Sequence, residues 1–507
     1  MARGEEPESG KLADYLSILS GTTQNIVGII VAALATLGVQ VLLTNTLGAA
    51  GYGVVVLLTQ AVFVASFATR AGMDMAVLRD VAVAVGVDRH DRIRAPVARA
   101  AWIAFAVSLV AAVVLFGEAD WVLRLLSIDP ERGRGAVQAA ALGLPFLALA
   151  NVWLSATRGL KIMRHTLYVF WAGQPVGWMA LILLGWSAAR TPWMAVLAYS
   201  VSWILASLAA LYFWRRESRR WEPAPLEPGA LGRLARYAAP RAPAALFSQL
   251  LFWTDLFVLT RFAPDVEVGV YAAVLRAGQI VVLFLTSVSL MFSPFVADLY
   301  NRREIERLDG LFKTLTRWTV AATLPAILLL LIVPGPALRV FGNVFSEGQA
   351  ALLIVLVGQV INIATGSVGF VLIMVGRTGW DLIVYAGSLA LNLGLAFWLC
   401  PRYGIEGAAI ANAVTFAASK WARLALVRRF VGIQPYDRQY ARLIVPAGAC
   451  GIAMLLVSRA FGGEWFAELT LTAALGMLVY LIAYLSVGLT PGERRAVSVL
   501  RSRLRTR

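Results

Sequence analysis

Cysteine and histidine are almost absent from this 507-residue sequence, which has two of each. Cys400 sits near a helix end and Cys450 inside an apolar run, so neither a disulfide framework nor a metal-ligand set is expected. His90 and His165 fall in polar connections, where a solvated surface role is expected, and no Ser/His/Asp arrangement is present. There is no Gly-x4-Gly-Lys-Ser/Thr phosphate loop, so ATP is not the direct driver of any activity and no cofactor is implied. Charge is scarce as well, with Asp, Glu, Lys and Arg making up 15% of residues, against roughly 25% in globular proteins. The first ten residues are polar and lack the apolar core of a signal peptide.

What the chain has in abundance is hydrocarbon. Hydrophobic residues are 59% and the mean hydropathy is +0.73. Apolar runs near residues 25–46, 51–78, 97–117, 136–157, 166–188 and 192–214 form a first half. A second half holds runs near 242–262, 269–299, 316–334, 348–375, 380–400, 406–427, 441–461 and 466–488. Each is long enough to cross a hydrocarbon core of about 30 Å as a helix. Backbone amides in lipid must be satisfied within the segment, which selects helices. The expected fold is an all-α polytopic membrane protein of about 14 transmembrane helices. The longest outer loop, near 118–135, is too short for the acidic residues of a membrane glycosyltransferase, so an enzyme is not expected.

The basic residues set the orientation. Most of the 45 Lys and Arg fall on alternate connections, including Arg89, Arg92 and Arg94, then Arg215 to Arg220, and the tail from Arg494 to Arg507. That bias places both termini in the cytoplasm. The net charge of +16 therefore faces anionic lipid headgroups, and no nucleic-acid partner is expected. Residues 11–20 read as a short amphipathic lead-in on the inner surface.

The sharpest internal boundary is the basic, proline-rich stretch 215–241, read as a cytoplasmic linker between lobes. The expected organisation is an N-terminal lobe at 1–214, this linker, and a C-terminal lobe at 242–430. A final pair of helices with a basic tail occupies 431–507. At one constant offset Tyr52 falls on Tyr271 and Gln60 on Gln279. That echo suggests a parallel repeat, two pseudo-repeated lobes related by an axis along the membrane normal. Chance is the other explanation of two identities. Gly404, Gly407, Ala408 and Ala411 read as a small-residue surface for close helix packing, and Pro175, Pro294 and Pro325 as kinks.

Several stretches resemble bacterial polysaccharide flippases of the multidrug/oligosaccharidyl-lipid/polysaccharide exporter superfamily. Leu391–Asn392–Leu393–Gly394, followed by Pro401–Arg402–Tyr403–Gly404–Ile405–Glu406–Gly407–Ala408–Ala409–Ile410–Ala411, is similar to the late-helix signature of those proteins. Leu47–Gly48 with Gly51–Tyr52–Gly53 resembles their first outer turn. Thr254–Asp255 with Val268–Gly269–Val270–Tyr271 resembles the seventh-to-eighth helix hairpin, and Phe292–Ser293–Pro294 the kink that follows. The resemblance covers essentially the whole chain. It implies a flippase that moves polyprenyl-diphosphate-linked oligosaccharide from inner to outer leaflet by alternating access, for cell-surface polysaccharide biosynthesis. The implied place is the bacterial cytoplasmic membrane. Candidate partners are membrane lipids, a polysaccharide polymerase and glycosyltransferases. The rival readings are a peptidoglycan-precursor (lipid II) flippase and a cation-coupled multidrug exporter.

Charge inside the apolar runs marks candidate binding residues. A charged side chain at mid-bilayer costs about 2.5–3.5 kcal/mol on insertion scales, so it tends to face a cavity or a partner. Asp255 and Arg276 lie at similar depth, about 10 Å below one surface, on consecutive helices. They read either as a structural ion pair or as a diphosphate-binding arginine with the carboxylate positioning it; a guanidinium fork suits phosphate oxygens. Arg70 and Asp74, spaced i,i+4, share a helix face. Arg70 reads either as snorkelling to the interface or as the first-half counterpart of Arg276. The amides Asn25, Gln60, Gln279, Gln359 and Asn362 complete the expected cavity set. Interhelical hydrogen bonding is the other explanation for each.

Overall fold

The computed structural model describes residues 6–488 apart from 87, 222–224, 226–228 and 462. Every regular element among the described residues is a helix. Eleven of these helices are long and apolar enough to cross a bilayer. Their outer surfaces are apolar, with Trp102 66%, Val110 65% and Leu184 71% exposed, as a lipid solvent requires. The expected all-α polytopic membrane fold is what the structure shows.

Two of the longest helices fold back on themselves. Glu6–Thr69 contains Gly48 at φ +67°, and Thr378–Phe430 contains Gly404 at φ +51°. Both angles lie in the left-handed region that only glycine enters cheaply. The Tyr52 hydroxyl donates to Gln40 Oε1 at 2.8 Å. Along a straight helix residues so spaced would stand about 18 Å apart, so the two arms on either side of Gly48 lie together. Beyond Gly404, a β-carbon on Gly407 would strike the Leu399 carbonyl. Gly404, read from sequence as a packing residue, is thus a turn residue, whereas Gly407 does serve close packing.

The chain packs as two compact units. One comprises Gly28–Ala273 with Tyr385–Asn412, the other Met1–Val27, Val274–Val384 and Ala413–Arg507. In the first, helix Pro130–Gly159 lies against helix Pro192–Ser218 through small residues, Gly143 facing Ser200, and Ser200 Oγ donates to the Ala139 carbonyl at 2.7 Å. A core of Val77, Val81, Val97, Val152, Trp214 and Leu234 lies beside it. The helix carrying Leu234, Ala230–Leu259, opens within the stretch read as linker. The π-helical turn Leu167–Gly173 precedes Pro175, which sits in the first turn of helix Gln174–Gly185. That is the local distortion expected at this proline.

One end of this unit gathers three turns. Gly269, in helix Asp265–Ile280, approaches so closely that a β-carbon on it would collide with the Ala49 carbonyl. A β-carbon on Gly53 would lie 3.1 Å from the Gly269 nitrogen, and one on Gly404 3.3 Å from Glu267.

In the second unit Phe292 stacks on Phe312 with centroids 6.0 Å apart, inside a cluster with Val296, Leu315, Val371 and Val427. The C-terminal pair Ile444–Ala460 and Trp465–Ala483 docks on helix Ile305–Ile332. There the buried Tyr480 hydroxyl donates to the Ala321 carbonyl at 2.6 Å. Tyr480→Phe is expected to cost about 1 kcal/mol by removing this bond, read as a lower unfolding midpoint in detergent. An unchanged midpoint would count against the bond as an anchor.

Candidate functional site

Several polar clusters lie inside the bundle among the described residues, each within a single unit. The first is cationic. After Thr69 the chain turns through Arg70–Ala71–Gly72 and resumes as helix Met73–Gly86. This carries Arg70 and Asp74 onto adjoining turns, with Nη1 and Oδ2 3.3 Å apart and side chains 3% and 11% exposed. Arg70 Nε donates to the Ser66 carbonyl at 3.0 Å, and its guanidinium lies 3.9 Å from the centre of the Phe67 ring. Arg70 is therefore buried, and the snorkelling alternative does not describe it. Arg158, at the end of helix Pro130–Gly159, lies within electrostatic reach of both Arg70 and Asp74. Its Nη2 donates to Ser155 Oγ at 2.5 Å. Gln60, also buried, is one of the polar residues on the Arg70 arm.

The second cluster surrounds Asp255, which is fully buried. Its Oδ2 accepts from the Tyr271 hydroxyl and from Asn412 Nδ2, the latter at 3.0 Å. The pairing expected from equal depth is thus replaced by two neutral donors, because depth alone does not say which side of a helix faces which neighbour. Neutral donors leave the carboxylate's charge uncancelled in a low-dielectric interior, where an isolated ion is costly. Oδ1 of Asp255 and Oδ1 of Asn412 accept no hydrogen bond. Such a group of oxygen acceptors can hold a proton or a small cation. No group of three or more His, Cys, Asp or Glu side chains suited to a metal ion occurs among the described residues.

The third group lies in the second unit. Arg276 Nη1 donates to Gln279 Oε1 at 3.3 Å, and Asn362 Nδ2 donates to Gln359 Oε1 at 3.0 Å. A β-carbon on Gly278 would lie 2.9 Å from Val355, so the helices carrying these two pairs touch. The expected residues Arg276, Gln279, Gln359 and Asn362 therefore belong to one region. Asn25 lies in helix Glu6–Thr69, with its side chain outside the described set.

Sequence reasoning missed a further charged group in this unit. Arg423 Nε meets Asp381 Oδ1 at 2.9 Å with both side chains at most 5% exposed, and Nη1 donates to Ser419 Oγ at 2.6 Å. Lys420 stands within electrostatic reach of both. These residues sit at the ends of apolar runs and so read as loop cations. The available signal was Asp381, an acidic residue one position inside a hydrophobic segment.

Comparison with known proteins places this arrangement. A family model described as polysaccharide biosynthesis protein matches residues 18–299, more than half the chain. The chain belongs to the polysaccharide biosynthesis protein family. The model described as MatE also matches residues 240–398. A relative named "Probable low-salt glycan biosynthesis flippase", from Haloferax volcanii, is 24% identical over 236 residues, 45% of this chain. The match spans about half of that relative, 48% of its length. Among solved structures, the lipid II flippase MurJ in an inward closed conformation matches with a TM-score of 0.69 at 13% identity, covering 90% of this chain and 97% of that one. An inward-facing multidrug resistance MATE family transporter of the MOP superfamily matches with a TM-score of 0.64 at 13% identity, covering 79% and 98%. This member of the polysaccharide biosynthesis family therefore shares its fold with both.

Proposed function

We propose that this protein is a flippase that moves polyprenyl-diphosphate-linked oligosaccharide from the inner to the outer leaflet of a bacterial cytoplasmic membrane, by alternating access and without catalysis. Membership of the polysaccharide biosynthesis family supports the glycan. The observation that carries the diphosphate is the burial of arginine inside an apolar bundle: Arg70 is 2% exposed, and Arg276 is held beside Gln279. A guanidinium binds phosphate oxygens through charge-assisted, bidentate bonds. In this reading two lobes, 1–214 and 242–430, rock about the linker between them, both termini are cytoplasmic, and the prenyl chain stays in lipid. Arg70, Asp74 and Gln60 meet the headgroup from the first half; Arg276, Gln279, Gln359 and Asn362 do so from the second, with Asn25 beside them. Asp255, with its neutral partners, balances charge during the cycle. A polymerase and glycosyltransferases would supply and consume the cargo.

The test is reconstitution with a fluorescent diphosphate-linked glycolipid, following its movement across the bilayer. Wild type is expected to flip it. Arg276→Ala is expected to lose about tenfold in rate, the loss of one hydrogen bond to a charged group. A folded variant that flips at the wild-type rate would remove Arg276 from the site. A wild type that leaves the glycolipid in place but exports a cationic dye under an ion gradient would replace this function with drug export.

A further inference from the structure

Two neighbouring spans of the second half are broken at matching places. One runs as helix Asp265–Ile280, pauses at Val281–Val282 and resumes as Leu283–Asn301. There Val282 N donates to the Gln279 carbonyl at 3.1 Å, a tighter bond than the α-helical ladder. The other span runs as Gln349–Ala364, turns through Thr365–Gly366–Ser367 and resumes as Val368–Met374. Gly366 stands at φ +65°, in the region that only glycine enters cheaply. A β-carbon on it would also collide with Thr316 Oγ1.

The arms on each side of the breaks are joined in pairs. Before the breaks, a β-carbon on Gly278 would lie 2.9 Å from Val355. Beyond them, the buried hydroxyls of Ser289 and Ser367 lie 2.7 Å apart, and Phe292, Val296, Val371 and Leu372 share one core. A few element-terminal residues between separately packed arms are where a backbone hinges.

The polar pairs stand at the ends of the first arms, directly before the breaks. Arg276 with Gln279 precedes one, and Gln359 with Asn362 precedes the other. Gln359 and Asn362 are each 4% exposed, yet Asn362 Oδ1 has no donor. Buried amide oxygens are normally satisfied. This one is closed off from cargo as the bundle stands, and the breaks are the nearest places where the backbone can give.

We propose that helices Leu283–Asn301 and Val368–Met374 form one hinged gate, which turns about Val281–Val282 and Thr365–Gly366–Ser367 and uncovers the polar pairs to a glycan headgroup. The bond between Ser289 and Ser367 keeps its two arms together. The gate rests on the reading of the protein as an alternating-access carrier, and in that reading's orientation it lies on the inner side.

The experiment uses the full chain in phosphatidylcholine nanodiscs, spin-labelled in pairs at introduced cysteines and measured by double electron–electron resonance, with and without the diphosphate-linked glycolipid. Both native cysteines are buried and stay unlabelled. The exposed positions Ile280, Val357, Asp298 and Met374 take the labels. Val357→Cys with Asp298→Cys, and Ile280→Cys with Met374→Cys, report across the breaks, and each is expected to show two distances. A bend of about 20° would carry Asp298, at the end of an arm of about 24 Å, about 8 Å sideways. Asp298→Cys with Met374→Cys lies within the gate and is expected to show one distance throughout. A single distance in either pair across the breaks under both conditions overturns the gate, as does a second distance within it. Two distances across the breaks in a protein that flips no glycolipid would overturn the proposed function and leave the gate standing.

Discussion

Asp381→Ala is expected to destabilise the purified protein by about 3–5 kcal/mol, the range for removing one partner of a buried ion pair. The magnitude follows from what is left behind. Arg423 is 3% exposed and Asp381 4%. Without the carboxylate, the Arg423 guanidinium stays buried in a medium that screens poorly, with its Asp381 counter-charge gone. Replacing the whole group, as Asp381→Leu with Lys420→Met and Arg423→Leu, should recover most of the loss, because apolar residues of similar volume often substitute for a buried pair without cost. Thermal or SDS-induced unfolding in detergent reads both. If the single variant unfolded like wild type, the pair would have to be solvated and the burial argument would fall.

Gly269→Val is expected to cost about 3 kcal/mol, at the upper end for overpacking. Its β-carbon would enter the space of the Ala49 carbonyl oxygen, and the opposing surface at Gly53 is also backbone. No side chain can rotate aside, so the helices must separate. Gly48→Ala makes the useful contrast. Nothing lies within 4 Å of a β-carbon there, and the only penalty is its φ of +67°, about 1–2 kcal/mol for a left-handed residue. Unfolding midpoints should fall in that order; the reverse order would sink the close-packing account.

The fold was legible in the sequence because lipid imposes one requirement on every span, and runs such as 97–117 and 192–214 answer it without ambiguity. Even the separation of 25–46 from 51–78 held, since Gly48 folds the chain there. Arg70 and Arg276 were legible for the same reason, as charges interrupting apolar runs. Arg158, Lys420 and Arg423 were not. They lie at the ends of runs, where position along the helix says interface; packing of neighbouring helices buries Arg423 and leaves Arg158 and Lys420 half-buried. Asp255 shows the complementary limit. Its burial could be read from its depth, but its partners Tyr271 and Asn412 are set by lateral geometry, and Asn412 is 157 positions away along the chain.

The buried carboxylate of Asp255 also has an electrical consequence. It is held by the neutral donors Tyr271 and Asn412, so its charge is not cancelled locally and is anchored to helices. Work against the membrane voltage is about 2.3 kcal/mol per elementary charge per 100 mV for the full thickness. Any rearrangement that moved this charge through part of that field would register as a transient displacement current with no cargo present. A proton or small cation bound at the carboxylate would shrink it. Voltage steps on the empty protein in a planar bilayer would therefore time its conformational cycle independently of any glycan.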